Sequence, residues 1–294
     1  MGGGWMNDIS LKFRIEYAVL RLVAFLFGCL SLEQASSLSG KLWRWVAPHL
    51  KRHARALAHL SAAFPDKSKE ELEQIARDMW ECLGRTFAES LRLNELHQQK
   101  RLDSSAIVPL IAPYLAQGKG MVVCGAHQGN WEIGTMGLMQ EGVSPVGLYQ
   151  RVKNPLVDDY VHALRAPFYP AGLLAKAPDT AMKLMRQIKR GGTLAMLGDL
   201  RDRTGLPATF FGREAYSTPF PAMLARHLDV PLFVAEIVRH ADVRFTLTMK
   251  EIDVPRTDDK PADIAVTTQR LQDAYEESIR KHPAQWMWAH QRWN

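Results

Sequence analysis

The sequence predicts an α/β fold, with a mixed central sheet flanked by helices and an N-terminal helical membrane-associated segment. Three observations carry this. From residue 121 onward, short apolar runs alternate with helical patterns, as in a sheet whose strands are joined by helical crossovers. Residues 243–249, VRFTLTM, alternate apolar and polar, which marks an antiparallel strand with one buried face and makes the sheet mixed. Residues 15–32, IEYAVLRLVAFLFGCLSL, form a long apolar run with basic residues on both sides. The chain divides accordingly into a membrane-associated helical segment over residues 1–60 and a catalytic-sized domain over 61–294.

The N-terminal stretch Met1-Gly-Gly-Gly, followed by Trp5-Met6, matches no acylation acceptor pattern. The 15–32 run is about long enough to cross a bilayer, but Glu16 and Arg21 interrupt it, and no small-residue cleavage site follows. It fits an anchor that spans marginally or lies in the interface; a buried core helix would carry the same residues. Residues 33–60 continue as helix. There Trp43 and Trp45 sit among Lys41, Arg44, Lys51, Arg52 and Arg55, a pairing that suits a headgroup region or a half-buried helix. Pro65 breaks the chain. Ser68 and Glu71 form a capping box, and Leu72, Ile75, Met79, Leu83, Phe87 and Leu91 then recur at helical spacing. A short helix over 106–117 ends at Gly118-Lys-Gly120.

The α/β part begins with a strand over 121–126, then a helix over 131–140 and a strand over 143–149. A helix over 155–164 has Asn154 as its cap and Pro155 at its first position. A helix over 179–189 follows, capped by Asp179, and then a strand over 193–197 ending at Gly198-Asp199. Residues 208–211 make a short strand, 219–227 a helix, 231–238 and 243–249 strands, and 261–281 a long final helix.

Composition is that of a globular protein: 47% apolar and 23% charged. The net charge is +6, and residues 1–60 hold most of it, with eight Lys/Arg against Asp8, Glu16 and Glu33. A basic, apolar N-terminal part suits an anionic membrane surface or an acidic protein. No helix-turn-helix, zinc finger or RNA-binding signature points to nucleic acid. Cys29, Cys82 and Cys124 stand in apolar contexts without C-x-x-C spacing and read as reduced, buried thiols of a cytoplasm-facing protein.

Chemistry concentrates at three strand ends. Residues 121–134, MVVCGAHQGNWEIG, run from a buried strand into a turn whose helix starts near Gly129 or Asn130. They present His127 and Glu132 at H-x4-E spacing, and a carboxylate in reach of an imidazole orients it as a general base. A lone histidine near a glutamate is also common in purely structural settings. The second end carries Gln150, Arg151, Lys153 and Asn154; the third carries Asp199, Arg201, Asp202 and Arg203. If the three strands are neighbours, these clusters meet on one rim, where a base, a carboxylate and arginines suit acyl transfer to an anionic acceptor. Metal binding by His127, Glu132 and Asp199 lacks a second histidine at ligand spacing, and no G-x-S-x-G signals a serine hydrolase.

At these residues the chain resembles the late acyltransferases of lipid A biosynthesis, the lauroyl/myristoyl transferases of the Gram-negative inner membrane, within the wider lysophospholipid acyltransferase superfamily. The resemblance rests on AHQGNWE at 126–132, the Y-x-R-x-x-N-P pattern at 149–155, Gly198-Asp199, FFGREAYSTPFPAMLA at 210–225 and QWMWAHQRW at 285–293, and it covers nearly the whole chain. It implies a glycerol-3-phosphate acyltransferase-like sheet. It further implies an acyl carrier protein thioester as donor, a lipid A precursor hydroxyl as acceptor, no cofactor or metal, and a site on the cytoplasmic face of the inner membrane. His127 becomes the general base with Glu132 orienting it, Asn130 becomes a substrate-binding residue, and Arg151, Arg165 and Asp199 bind the phosphate or acceptor or else support His127. Many relatives have glutamine or histidine where Leu200 stands here.

Overall fold

The computed structural model describes residues 9–293; the Met1–Gly4 stretch and Trp5-Met6 lie outside the described residues. Helix α1, Leu11–Gly28, is capped by Ser10 and has no buried residue. It is therefore not a core helix. Among the described residues no helix is long and apolar enough to cross a membrane. Ser31 and Gln34 form a capping box that starts α2, Leu32–Val46. The helix expected over 33–60 is broken in two. Pro48 sits in a 3-10 turn, Ala47–His49, and α3 restarts over Lys51–Ala63; a proline inside the helix would remove a donor and clash with the preceding turn. Helix α4, Lys69–Ser90, has the expected Ser68–Glu71 capping box; of its apolar stripe Leu72 and Met79 are buried, Ile75, Leu83 and Leu91 are half-buried and Phe87 is exposed. It packs along α2 at Gly84, where a Cβ would stand 2.6 Å from the Ser39 carbonyl oxygen. Short elements follow: α5 (Leu93–Gln98), β1 (Leu102–Asp103) and α6 (Val108–Ala116).

The α/β part runs β2 (Met121–Gly125), α7 (Gly134–Gln140), β3 (Pro145–Tyr149), α8 (Pro155–Arg165), β4 (Leu173–Ala175), α9 (Thr180–Lys189) and β5 (Thr193–Leu197). It continues with β6 (Arg201–Phe210), β7 (Arg213–Ser217), α10 (Phe220–Leu228), β8 (Leu232–Arg239), β9 (Phe245–Ile252) and α11 (Lys260–Lys281). The described residues form a seven-stranded sheet in the order β1-β9-β8-β2-β5-β3-β4 and a separate β6-β7 hairpin. Strands β8, β2, β5, β3 and β4 are mutually parallel, and β9 is antiparallel to β8, as its alternation requires. The hairpin is longer than the single strand expected at 208–211.

Helices cover both faces of the sheet, and this explains the unbroken apolar run of β2. Val122 and Cys124 face one side, with Leu60 of α3, Met79 of α4, Leu184 of α9, Leu271 of α11 and Trp286 and Trp288 of the C-terminal tail. Met121 and Val123 face the other, with Leu96 of α5, Ile111 of α6 and Met136 of α7. Residues 47–60 thus contribute to the same apolar cluster as the sheet, whereas α1 does not. Cys82 and Cys124 are buried, but Cys29, at the end of α1, is exposed.

Beyond β2 the chain turns through Gly129, whose φ is +60°. A Cβ there would lie 2.2 Å from the Ile237 carbonyl oxygen of β8. The turn also takes a hydrogen bond from Gly129 N–H to the Gln285 carbonyl, 2.9 Å. Gly129→Ala should therefore lower stability by roughly 1–3 kcal/mol, from left-handed strain plus the clash. Thermal melting would read this, and an unchanged midpoint would show that the turn has another route.

Candidate active site

Three parallel strands, β2, β5 and β3, end side by side, with β5 in the middle. The three strands are neighbours as expected, but of the β3-end cluster only Gln150 lines the cavity; register makes the meeting of the other two ends specific. Gly125 pairs with Leu197, so His127 and Asp199, each two residues further on, come abreast. His127 Nδ1 lies 2.8 Å from Asp199 Oδ1, and the His127 backbone N–H donates to Asp199 Oδ2 at 2.9 Å. The Trp286 indole N–H, from the tail, donates to the same Oδ2 at 2.8 Å. The Asp199 carboxylate has no exposed surface. Burial alone would push its pKa up, but the His127 charge and the hydrogen bonds outweigh this, and its pKa lies below the ordinary carboxylate value. An ionised Asp199 holds the proton on Nδ1 and leaves Nε2 to act as a base.

The carboxylate on His127 is thus Asp199 and not Glu132. Glu132 belongs instead to a different pair. Arg165, at the end of α8, donates from Nε to Glu132 Oε2 at 2.6 Å and from Nη2 to Glu132 Oε1. This is the two-pronged geometry that favours arginine over lysine. Burial pulls the Arg165 pKa down, yet Glu132 prevails and the net direction is up. The Trp131 indole N–H also donates to Glu132 Oε1, at 3.0 Å, and the Trp131 ring lies 5.1 Å from the His127 ring. Glu132 therefore reaches the base through an aromatic neighbour. H-x4-E puts the glutamate one helical turn past the strand end, but the intervening 3-10 turn, Trp131–Ile133, aims it at α8.

The remaining expected site residues separate. Asn130 is fully buried away from the cavity. Its side-chain oxygen accepts from the Glu132 N–H, and its Nδ2 donates to Glu89 Oε2 at 2.9 Å. It shapes the turn rather than contacting ligand. Arg151 is exposed and outside the cavity lining, whereas Gln150 beside it lines the cavity. Asn154 caps α8 and ties it to α1 by donating to the Phe13 carbonyl and to Glu16 Oε2, each at 2.9 Å.

His127, Glu132 and Arg165 stand at the edge of a cavity of about 650 Å³. Its depth is apolar, between the sheet and its helices: Val123, Leu138, Leu184, Ala195, Ile237 and Leu247. Lys176, Arg201 and Arg203 line it among more polar neighbours. This shape suits a hydrocarbon chain with a polar, anionic end. Cys124 is no rival nucleophile, because burial pushes its thiol up to about 12. Among the described residues no group of His, Cys, Asp and Glu could hold a metal ion.

Sequence reasoning missed two parts of the site. One is Trp286, whose contact with Asp199 brings the tail under the base. The other is a buried network beneath the turn. Arg239 of β8 donates to both oxygens of Glu89, at 2.6 and 2.7 Å, and to Thr86 Oγ1 at 3.0 Å, while that hydroxyl donates to the Gly129 carbonyl at 2.9 Å. Its one signal in sequence is Glu89, a carboxylate one residue before the end of α4.

The chain matches the bacterial lipid A biosynthesis acyltransferase family over residues 10–294. It is also 28% identical over 259 residues, 83% of this chain and 75% of the relative, to the phosphatidylinositol mannoside acyltransferase of Mycobacterium tuberculosis strain H37Rv. The protein of the same description from strain CDC 1551 matches at the same identity and coverage.

The two carboxylates should separate by experiment. Asp199→Asn should lower turnover on the order of 10²–10⁴-fold, the usual range for losing a working general base. Glu132→Gln combined with Arg165→Met should show a coupling in thermal stability of about 0.5–3 kcal/mol, which Asp199→Asn combined with Arg165→Met should lack. Coupling of Arg165 to Asp199 instead would contradict the pairing.

Proposed function

The chain belongs to the bacterial lipid A biosynthesis acyltransferase family and is an acyltransferase of that family; on this premise we propose that it moves a fatty acyl chain from an acyl carrier protein thioester to a hydroxyl of a lipid A precursor. The observation that carries this reading is the His127–Asp199 pair at the edge of a deep apolar cavity. Asp199 keeps His127 oriented, and Nε2 takes the proton from the acceptor hydroxyl as its oxygen attacks the thioester carbonyl. A carbon–oxygen bond forms, the carbon–sulfur bond breaks, and the departing thiolate recovers the proton from His127. The acyl chain lies among Val123, Leu138, Ala195 and Ile237. Glu132 acts as a positioning residue, holding Trp131 beside the imidazole and Arg165 at the wall. Lys176, Arg201 and Arg203 suit the anionic end of the donor and the acidic carrier protein, and Arg151 stands exposed beside Gln150. The direct transfer requires no cofactor and no metal.

The reaction belongs, in this reading, on the cytoplasmic face of the inner membrane. Leu11, Ile15, Val19, Leu22, Phe25 and Leu26 of α1 are each more than half exposed. Such an apolar stripe on a docked surface helix supports attachment in the plane of the interface. A second acceptor class, a phosphorylated glycolipid other than a lipid A precursor, is favoured by one specific observation: the mycobacterial relatives are phosphatidylinositol mannoside acyltransferases by description.

Labelled acyl carrier protein thioester should be consumed with a lipid A precursor to give an acylated product seen by mass spectrometry. His127→Ala should lower this rate on the order of 10²–10⁴-fold while the fold is kept, with some fall in melting temperature because the buried Asp199 loses a donor. Wild-type turnover in that variant would sink the mechanism, and product with phosphatidylinositol mannoside alone would select the second acceptor. Separately, Ile15→Glu with Leu22→Glu should shift the protein from the membrane to the soluble fraction. Unchanged fractionation would remove α1 from the attachment surface.

A further inference from the structure

A second cavity, of about 600 Å³, lies on the other side of the Glu132–Arg165 pair. Trp131, Glu132 and Arg165 line both cavities, so a single wall separates them, and Trp131 in that wall stands beside His127. The rest of the second lining is largely apolar and helical: Trp43 of α2, Trp80, Leu83 and Phe87 of α4, Leu164 of α8 and Leu20 of α1. The one polar atom of the Trp80 ring is already used, donating to His53 Nδ1 at 3.1 Å, so the ring offers this space only apolar surface.

Arg52 and Arg55 of α3 also line this cavity. They are three residues apart and so share one helix face. The neighbouring arginines of the helical layer are neutralised: Arg44 by Asp78 and Glu81, Arg77 by Glu73, Arg85 by Glu81, Arg92 by Glu95. Arg52 and Arg55 have no carboxylate partner among the described residues, and the Arg55 contact is a 3.4 Å hydrogen bond to the Ala289 carbonyl. Two uncompensated guanidiniums beside an apolar space select an anion that carries hydrocarbon. The helices that supply Leu20 and Trp43 also carry exposed apolar residues, Leu22 and Phe25 on α1 and Leu38, Leu42 and Trp45 on α2, so the cavity adjoins the surface best suited to meet lipid.

We propose that this second cavity holds the acceptor, a phosphate-bearing amphiphile whose phosphate pairs with Arg52 and Arg55 and whose chain lies against Trp43, Trp80, Leu83 and Phe87. Its hydroxyl reaches His127 past Trp131, while the donor chain occupies the first cavity. The assignment rests on the acyltransferase mechanism above. It explains why the wall is a rigid, doubly hydrogen-bonded pair: it keeps two hydrocarbon chains apart while one oxygen crosses.

The test uses the full chain and dihexanoyl phosphatidic acid, a short amphiphile soluble as a monomer, with inorganic phosphate and dihexanoylglycerol as separate arms, all read by calorimetry. The phosphatidic acid should bind, Arg52→Ala with Arg55→Ala should weaken it roughly tenfold per arginine, and Leu164→Trp, which fills the cavity, should weaken the phosphatidic acid and the glycerol alike. Inorganic phosphate should bind much more weakly than the amphiphile. In turnover the arginine variant should raise the acceptor KM roughly tenfold with little change in kcat. Equal binding of phosphate and phosphatidic acid, or binding indifferent to both variants, would overturn the assignment. Because binding is read without turnover, a wild-type protein that binds as expected but transfers no acyl group would fail the mechanism, whereas one that transfers normally with an unchanged KM in the arginine variant would fail only this site.

Discussion

A carboxylate with no exposed surface can stay ionised only if the protein supplies the hydrogen bonds and charge that water would have given. Asp199 meets that requirement with three donors from two distant parts of the chain. The His127 ring and backbone come from the end of β2, and the Trp286 indole comes from the tail. Each donor is fixed by something else. The His127 carbonyl accepts from the Met287 N–H, Gly129 N–H is bound to Gln285, and the Gln285 side chain bridges the Arg239 backbone in both directions. The tail thus adds a clamp to the β2 turn, and the need to satisfy one buried charge accounts for much of the local architecture.

Around that charge lie two ion pairs of different kinds. Arg239–Glu89 is almost wholly buried and joined to Thr86, Ser36 and Asn130. Removing either partner would leave a charge with nowhere to go, which makes the pair a device for fixing one arrangement of α2, α4, β8 and the turn. Glu132–Arg165 is less buried on its arginine side and faces cavities on both sides. The first pair anchors the turn from below, and the second keeps a partition upright beside the imidazole.

Much of the fold was readable because its signals are local. The Ser68–Glu71 box, the Asn154-Pro155 start of α8, the alternation of β9 and the long α11 all depend on residues within a turn or two of one another. What was not readable depends on distance in the chain or on very few residues. β1 and β4 span two and three residues, too short for a period to show. Pro48 splits a pattern that is otherwise helical throughout into two helices, and a single residue leaves the periodicity on either side unchanged. His127 stood out by its place after a buried strand. Its partner did not, because Asp199 lies 72 residues away and only the β2–β5 register brings it abreast. Proximity in sequence favoured Glu132; proximity in space belongs to Asp199. Asn130 looked like a ligand contact for the same reason that it is a structural one, since a polar side chain at a turn serves the backbone first.

The clamp on Asp199 also bears on time. Chains emerge from the ribosome N-terminus first, and β2, α8, α9 and β5 all precede Trp286, which reaches Asp199 across 87 residues of chain. Throughout that interval the imidazole and its carboxylate can exist, but the carboxylate lacks its indole donor and the turn lacks its Gln285 clasp. A growing chain therefore lacks two of the contacts that hold the β2 turn and its buried charge until residues 285 and 286 have been made.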